Sequence, residues 1–279
     1  MFSAGLDIPE MKEMFQKKVE ILHHVQVGPG YFRIGVAFPE LARIARPGQF
    51  VMVKLPDQSI PLLRRPFSVH NRVVQKGDVF GFELLYKVVG QGTRAMSGMR
   101  AGNVIDILGP LGNGFSYPEG IRNVFLVAGG IGVAPLYYLA LDLAEHQDVS
   151  TTVFLGGCSA ADIVCQEEFE HAGAKVCVTT EDCSLGERGV ITSLVQKAVE
   201  GDGKPDMIYA CGPQAMLRTL RDIAVAHDVQ CQISMETVMA CGFGVCLGCA
   251  VEKAGGGEGY LHACTDGPVF DSHAIVIKT

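Results

Sequence analysis

Asn123-Val-Phe-Leu-Val-Ala128-Gly129-Gly130-Ile-Gly132-Val-Ala-Pro135 reads as a buried strand that breaks on glycines and opens a helix. The apolar run is continuous rather than alternating, as in a strand covered on both faces. Leu136–Glu145 continues as the helix, and the alternation then repeats. Further strands are predicted at Thr152–Leu155, Lys175–Thr180, Met207–Ala210 and Val229–Ser234, with helices at Ala160–His171, Ile191–Glu200 and Gln214–His227. Strands alternating with helices predict an α/β fold with a doubly wound parallel sheet. Ligands of such sheets sit at the carboxyl ends of the strands.

Three of those ends carry informative residues. Gly129, Gly130 and Gly132 would let a pyrophosphate approach the backbone and a helix start. They do not complete a G-x-G-x-x-G, and a tight strand-to-helix turn explains them equally well. Glu181 and Asp182, after Thr180, offer carboxylates to ribose hydroxyls and would repel a 2′-phosphate, which leans towards NAD; a solvated acidic loop is the plainer reading. Cys211-Gly212-Pro213 places a thiol where a nicotinamide could face it, with a buried structural thiol as the alternative.

Upstream the period changes. Lys18–Val27, Tyr31–Ala37, Gln49–Leu55, Arg65–Val73, Val79–Val89 and Asn103–Leu108 are β-branched or aromatic runs separated by Gly/Pro turns, with a helix-like insert at Thr93–Met99. They predict a small antiparallel β barrel. Arg65-Pro66-Phe67-Ser68 combines a forked cation with a hydroxyl on one strand, suited to a pyrophosphate and a flavin edge. Leu85-Tyr86-Lys87 runs into Gly90-Gln91-Gly92-Thr93, a helix start whose N–H groups form an anion site. Singly, each is as well read as a surface charge or an ordinary turn. Together they resemble the flavin-binding signature of ferredoxin reductases, with Phe67 where Arg-x-Tyr-Ser has its tyrosine.

Downstream, Cys241, Cys246, Cys249 and Cys264 stand at C-x4-C-x2-C-x14-C, the spacing of plant-type [2Fe–2S] ligation. Zinc would favour two close pairs, and disulfides would need an oxidising compartment. Glycines at 242, 244 and 248 suit a loop wrapped closely around a cluster. The other six cysteines, at 158, 165, 177, 183, 211 and 231, lack metal spacing and read mostly as small core residues.

The chain has 279 residues, 48% apolar and 19% charged, enough for two ordinary domains and an appendage. A net charge of −7 argues against nucleic-acid binding. No apolar run is long enough to span a membrane, and the first residues do not form a secretory signal, so a cytoplasmic location is expected. The expected domains are a flavin barrel at 15–115, a nucleotide domain at 116–234 and a cluster-binding segment at 235–279.

From about Lys18 to Phe270 the chain resembles the electron transfer subunits of NAD-dependent dihydroorotate dehydrogenase B, a family of ferredoxin-reductase-like flavoproteins. The most specific phrases are Met235-Glu-x-x-Met-x-Cys241-Gly-x-Gly-x-Cys246-x-Gly-Cys249 and Cys264-Thr-Asp-Gly-Pro-Val-Phe270. The resemblance implies that Arg65, Pro66, Phe67, Ser68, Leu85, Tyr86, Lys87, Gly92 and Thr93 contact FAD, and that the four C-terminal cysteines hold the cluster. It also implies an FMN-containing catalytic partner, two copies of each subunit, and NAD⁺ as electron acceptor in pyrimidine biosynthesis, with no acid or base on this chain. Related transhydrogenase subunits carry an aspartate at the first ligand position, which here is Cys241. Two alternatives stay open: a reductase subunit of another iron–sulfur flavoenzyme, such as a sulfite reductase, hydrogenase or transhydrogenase, and a non-enzymatic redox sensor. The run Ala254–Gly259 reads as a mobile tip of the cluster loop, and residues 1–14 match nothing.

Overall fold

The computed structural model describes residues 13–55, 62–146, 148–201, 203–256 and 259–278. The unmatched residues 1–12 and part of the glycine-rich tip, 257 and 258, lie outside them.

The first layer is a curled antiparallel sheet. Its strands are β1 (Phe15–Gly28), β2 (Tyr31–Val36), β3 (Phe50–Lys54), β4 (Arg65–Ser68), β5 (Asn71–Gln75), β6 (Asp78–Lys87) and β7 (Val104–Leu111). The order across it is β4-β3-β7-β1-β2-β6-β5. The expected strand Arg65–Val73 is therefore two strands at opposite edges of the sheet. The chain crosses the seam through Val69 and His70, whose N–H groups donate to Gln49 O and Glu83 O, both at 2.9 Å. The same crossing brings the two edges together and curls the sheet into a barrel. Between β5 and β6, Lys76 and Gly77 both have positive φ, 53° and 87°, the geometry of a two-residue hairpin turn.

Helix α1 (Pro39–Ile44) escapes sequence reading because it is only six residues long, although Pro39 at its start and Glu40 in its first turn are helix-opening signals. Helix α2 (Gln91–Ser97) falls where a helix was predicted.

The second layer is the parallel sheet. Its strands are β8 (Asn123–Gly129), β9 (Ser150–Gly157), β10 (Lys175–Thr180), β11 (Glu187–Arg188), β12 (Met207–Cys211) and β13 (Gln230–Ser234), in the order β11-β10-β9-β8-β12-β13. Helices α3 (Val133–Ala144), α4 (Gln166–His171), α5 (Ile191–Glu200) and α6 (Gln214–Ala226) cover it. On α6, Leu217, Leu220, Ile223 and Ala224 form the buried stripe. The predicted helix Ala160–His171 is broken. A 3₁₀ turn ends at Asp162, and Cys165 then takes a left-handed φ of 65° before α4 begins.

The C-terminal segment adds a hairpin, β14 (Ala250–Glu252) with β15 (Tyr260–His262), and β16 (Val269–Asp271), which pairs antiparallel with β13. The segment is thus stitched to the edge of the parallel sheet. One core joins all three parts: Phe50, Met52 and Leu111 of the barrel pack with Ile233, Met239, Cys249, Cys264 and Phe270. No helix among the described residues is long and apolar enough to cross a membrane.

Candidate functional site

Two clefts open between the layers. The first, about 380 Å³, lies where β4, the end of β6 and the start of α2 face Ile131, Pro135, Cys211 and the stretch Ser234–Met239. Arg65, Pro66, Phe67, Ser68, Leu85, Tyr86, Lys87, Gly92 and Thr93, the residues the resemblance assigns to FAD, all line this one cleft. Phe67 meets Tyr86 edge-on, ring centroids 5.8 Å apart, so position 67 keeps its place in an aromatic wall but offers no hydroxyl of its own. Tyr86 is buried, which raises its pKa, and its hydroxyl lies 2.9 Å from His24 Nε2. His24 Nδ1 faces the Met99 carbonyl at 2.8 Å; it therefore carries the proton, and Tyr86 donates to Nε2.

Arg65 Nη1 donates to Leu63 O at 2.8 Å and Arg64 O at 3.2 Å, while Arg64 is committed to Asp106, 2.8 Å away. Arg65 thus holds weak backbone partners that an anion can displace; Arg64 does not. Thr93 Oγ1 accepts from the N–H groups of Val89 (2.9 Å) and Gly90 (3.1 Å), which shapes the turn. The first helical bond runs from Arg94 N to Gly90 O at 2.9 Å, leaving the N–H groups of Gln91, Gly92 and Thr93 ahead of it. Thr237 Oγ1, in the opposite wall, is buried without a partner. A cation, a helix start, an aromatic wall and an orphaned hydroxyl in one cleft fit a flavin dinucleotide.

The second cleft, about 640 Å³, spans the carboxyl ends of the parallel strands and shares Lys87, Ile131 and Glu236 with the first. Gly129, Gly130, Gly132, Glu181, Gly212 and Pro213 line it. The glycines divide by role. A Cβ on Gly132 would stand 2.1 Å from Cys211 O, and one on Gly129 2.6 Å from Pro213 Cδ, so these two let the β8 and β12 ends pack together. Gly130, at φ 54°, is instead open, with only Tyr31 Oη within contact at 3.8 Å. Glu181 accepts from Cys158 Sγ at 3.5 Å. Asp182 turns away from the cleft: its carboxylate is occupied by the Ser184 hydroxyl (2.6 Å) and N–H (2.9 Å), which lower its pKa. Cys211 lines the first cleft rather than the second; it is only 2% exposed, and burial pushes its thiol well above the usual range.

All ten cysteines are free. Of the six outside the motif, Cys158 and Cys183 are exposed, which corrects the core reading for those two. The motif cysteines form two pairs. Cys249 Sγ donates to Cys264 Sγ at 3.2 Å, and Gly244 N–H donates to Cys264 Sγ at 3.1 Å. Cys246 N–H points at Cys241 Sγ from 3.5 Å. Burial alone would raise Cys241, but N–H groups of Cys246, Phe243 and Val245 outweigh it and hold the thiol down at about 6. Burial, then the neighbouring Cys249 thiol, pushes Cys264 up to about 12. Gly242 and Gly244 take φ of 85° and 87°, which lets the loop turn its N–H groups inward. Among the described residues no three ligand side chains converge as a single-metal cage requires. Two thiol pairs suit a binuclear cluster, which takes two protein ligands on each iron.

Comparison with known proteins agrees with this layout. Residues 236–276 match the iron–sulfur cluster binding domain of dihydroorotate dehydrogenase B, and residues 126–222 an oxidoreductase NAD-binding domain. The electron transfer subunit of dihydroorotate dehydrogenase B (NAD(+)) from Desulforamulus reducens is 37% identical over 267 residues, 95% of this chain and 99% of that protein. Its counterpart from Caldanaerobacter subterraneus is 42% identical over 231 residues, 82% and 87% of the two chains. The chain belongs to the family of dihydroorotate dehydrogenase B electron transfer subunits.

Among solved structures, an NADH-dependent reduced ferredoxin–NADP oxidoreductase studied for electron bifurcation superposes with a TM-score of 0.81 at 31% identity, covering 93% of this chain and 90% of that one. A Neisseria gonorrhoeae ferredoxin–NADP⁺ reductase with bound FAD and NADP shares the fold, at a TM-score of 0.63 and 14% identity, covering 76% and 91%. In this electron transfer subunit, sequence reasoning gave no role to Glu236, Thr237 and Met239, which wall the flavin cleft. The signal was present in the Met235-Glu-x-x-Met phrase ahead of Cys241. Glu236 stands between the clefts, ringed by protein yet reached by solvent, and desolvation raises its pKa.

Proposed function

We infer that this chain passes electrons from the FMN of a catalytic dihydroorotate-oxidising subunit, through a [2Fe–2S] cluster and FAD, to NAD⁺ in pyrimidine biosynthesis. The observation that carries this reading is contiguity. The cysteine loop packs on Met52 and Leu111 through Gly242, Met239 links it to the flavin cleft, and that cleft opens into the nucleotide cleft. The cluster supplies one-electron transfer and the flavin converts electron pairs to hydride; the chain's residues position and tune.

In this reading Cys241, Cys246, Cys249 and Cys264 hold the irons. Arg65 and the α2 start hold the flavin diphosphate, Ser68 and Thr237 bond the flavin ring, and Phe67 and Tyr86 exclude water beside it. Glu181 takes the adenosine ribose hydroxyls, and its charge disfavours a 2′-phosphate. Cys211, a buried thiol in the wall of the first cleft, would face a nicotinamide that reached the flavin there. The catalytic partner docks on the cluster loop, where Val238, Phe243, Val245 and Leu247 are exposed apolar side chains. Two copies of each subunit in the cytoplasm complete the proposal.

The test is an absorption spectrum of anaerobically purified protein, followed by NADH and then by dihydroorotate with and without a catalytic subunit. Flavin and iron–sulfur bands that bleach with NADH, and with dihydroorotate only when the partner is present, support the reading. Bleaching by NADH with no response to the partner would assign the chain to another reductase. A spectrum without flavin would overturn it.

A further inference from the structure

The nucleotide cleft has an electrostatic problem. Among the described residues lining it, Asp162, Glu181 and Glu236 are acids and Lys87 is the single cation. A dinucleotide diphosphate brings negative charge into this field and needs a counter-charge. Lys87 is among the residues that line both clefts. Family resemblance places Lys87 on the flavin, but its charged end is held on the side of the second cleft. Lys87 Nζ lies 2.9 Å from Asp162 Oδ1 and 4.8 Å from the centre of the Tyr31 ring, and both of these residues line only the second cleft. Tyr31 Oη donates to the same Asp162 oxygen at 3.1 Å, and it is the atom nearest the open face of Gly130. Lys87 and Tyr31 come from the barrel, whereas Asp162 and Gly130 come from the parallel sheet's loops.

We propose that Lys87 is the receiver of the dinucleotide diphosphate, parked on Asp162 until the nucleotide enters. The proposal rests on the functional reading above and assigns a positioning residue to it. Exchange is cheap because each group keeps a partner: the ammonium trades a carboxylate for a diphosphate, and Asp162 retains the Tyr31 hydroxyl. The glycine turn at Gly130 supplies the facing surface without a Cβ in the way. Asp162 therefore competes with the nucleotide for the one cation, and its removal tightens binding.

The test is calorimetric titration of the FAD-loaded protein with ADP-ribose, which carries the diphosphate, and with adenosine, which does not. In Lys87→Met the ADP-ribose affinity falls about ten-fold, the loss of one charge-assisted contact, while adenosine affinity and flavin absorbance per chain are unchanged. In Asp162→Asn the ADP-ribose affinity rises about two-fold or more. The second variant carries the test should the first not fold. Equal weakening of both ligands in Lys87→Met, loss of flavin with ADP-ribose affinity intact, or weaker ADP-ribose binding in Asp162→Asn would each overturn the assignment. NADH bleaching of the unmodified protein tests the functional reading independently.

Discussion

Gly132 is confined by a backbone carbonyl: a methyl group there would stand 2.1 Å from Cys211 O and 2.8 Å from Gly212 N. Neither neighbour is a flexible side-chain tip, so the β8 and β12 ends must part. Gly132→Ala should cost about 1–3 kcal/mol in denaturant unfolding and raise the KM for NADH; unchanged stability would show that the strand ends are not in contact in solution. At the cluster, Cys249 is buried 3.2 Å from Cys264. Cys249→Ser should abolish dihydroorotate-linked NAD⁺ reduction while flavin absorbance and NADH-driven dye reduction survive. Loss of flavin in that variant, or full coupled activity, would contradict the division between cluster and flavin clefts.

At the scale of elements, the Val69–His70 crossing joins the two edges of the curled sheet to the start of α3. His70 is fully buried, and its Nδ1 lies 2.9 Å from Ala134 O, to which it donates. Burial lowers its pKa, and the Ala134 carbonyl offsets only part of this. The folded form therefore resists a proton that the unfolded chain accepts near pH about 6.5. The stability from neutral His70 is complete above that pH and is lost as pH falls below it. Melting temperature should drop between pH about 7 and about 5, and His70→Gln should flatten that slope while lowering the melting temperature at neutral pH. An identical slope in both proteins would remove His70 from the account.

At the scale of the whole molecule, the cysteine loop is buttressed from inside and apolar outside. Val238 and Val245 are 85% and 73% exposed, in the same loop as the exposed Cys246, while Cys249 and Cys264 are buried. Such side chains gain nothing in the isolated chain, and the docking proposed above would cover them. The double variant Val238→Asp with Val245→Asp should weaken association with the catalytic subunit about ten-fold or more in sedimentation while NADH-driven dye reduction persists. Unaltered association would move the docking surface elsewhere on the molecule.

The sequence alone determined the layer types, the spacing of the four thiols and most of the residues that line the first cleft. Strand and helix periods are local properties, as is the cysteine spacing, and Arg65–Ser68 and Leu85–Thr93 each sit in one short stretch. It also held the Met235-Glu-x-x-Met phrase without disclosing that Glu236 faces both clefts. Tertiary structure decided the rest, because each remaining feature depends on residues far apart in the chain. The split of Arg65–Val73 into opposite edge strands follows from barrel closure. The break before α4 is a left-handed turn at Cys165, and the helical pattern across it carries no glycine or proline to announce the interruption. Asp182 is withdrawn from the second cleft by a hydroxyl two residues on, whereas Glu181 is left lining it. Lys87, on a flavin-cleft strand, points its charge at Asp162, 75 residues away, because the two layers meet there. Periodicity records which face of an element is buried; only packing of one layer on another records what that face meets.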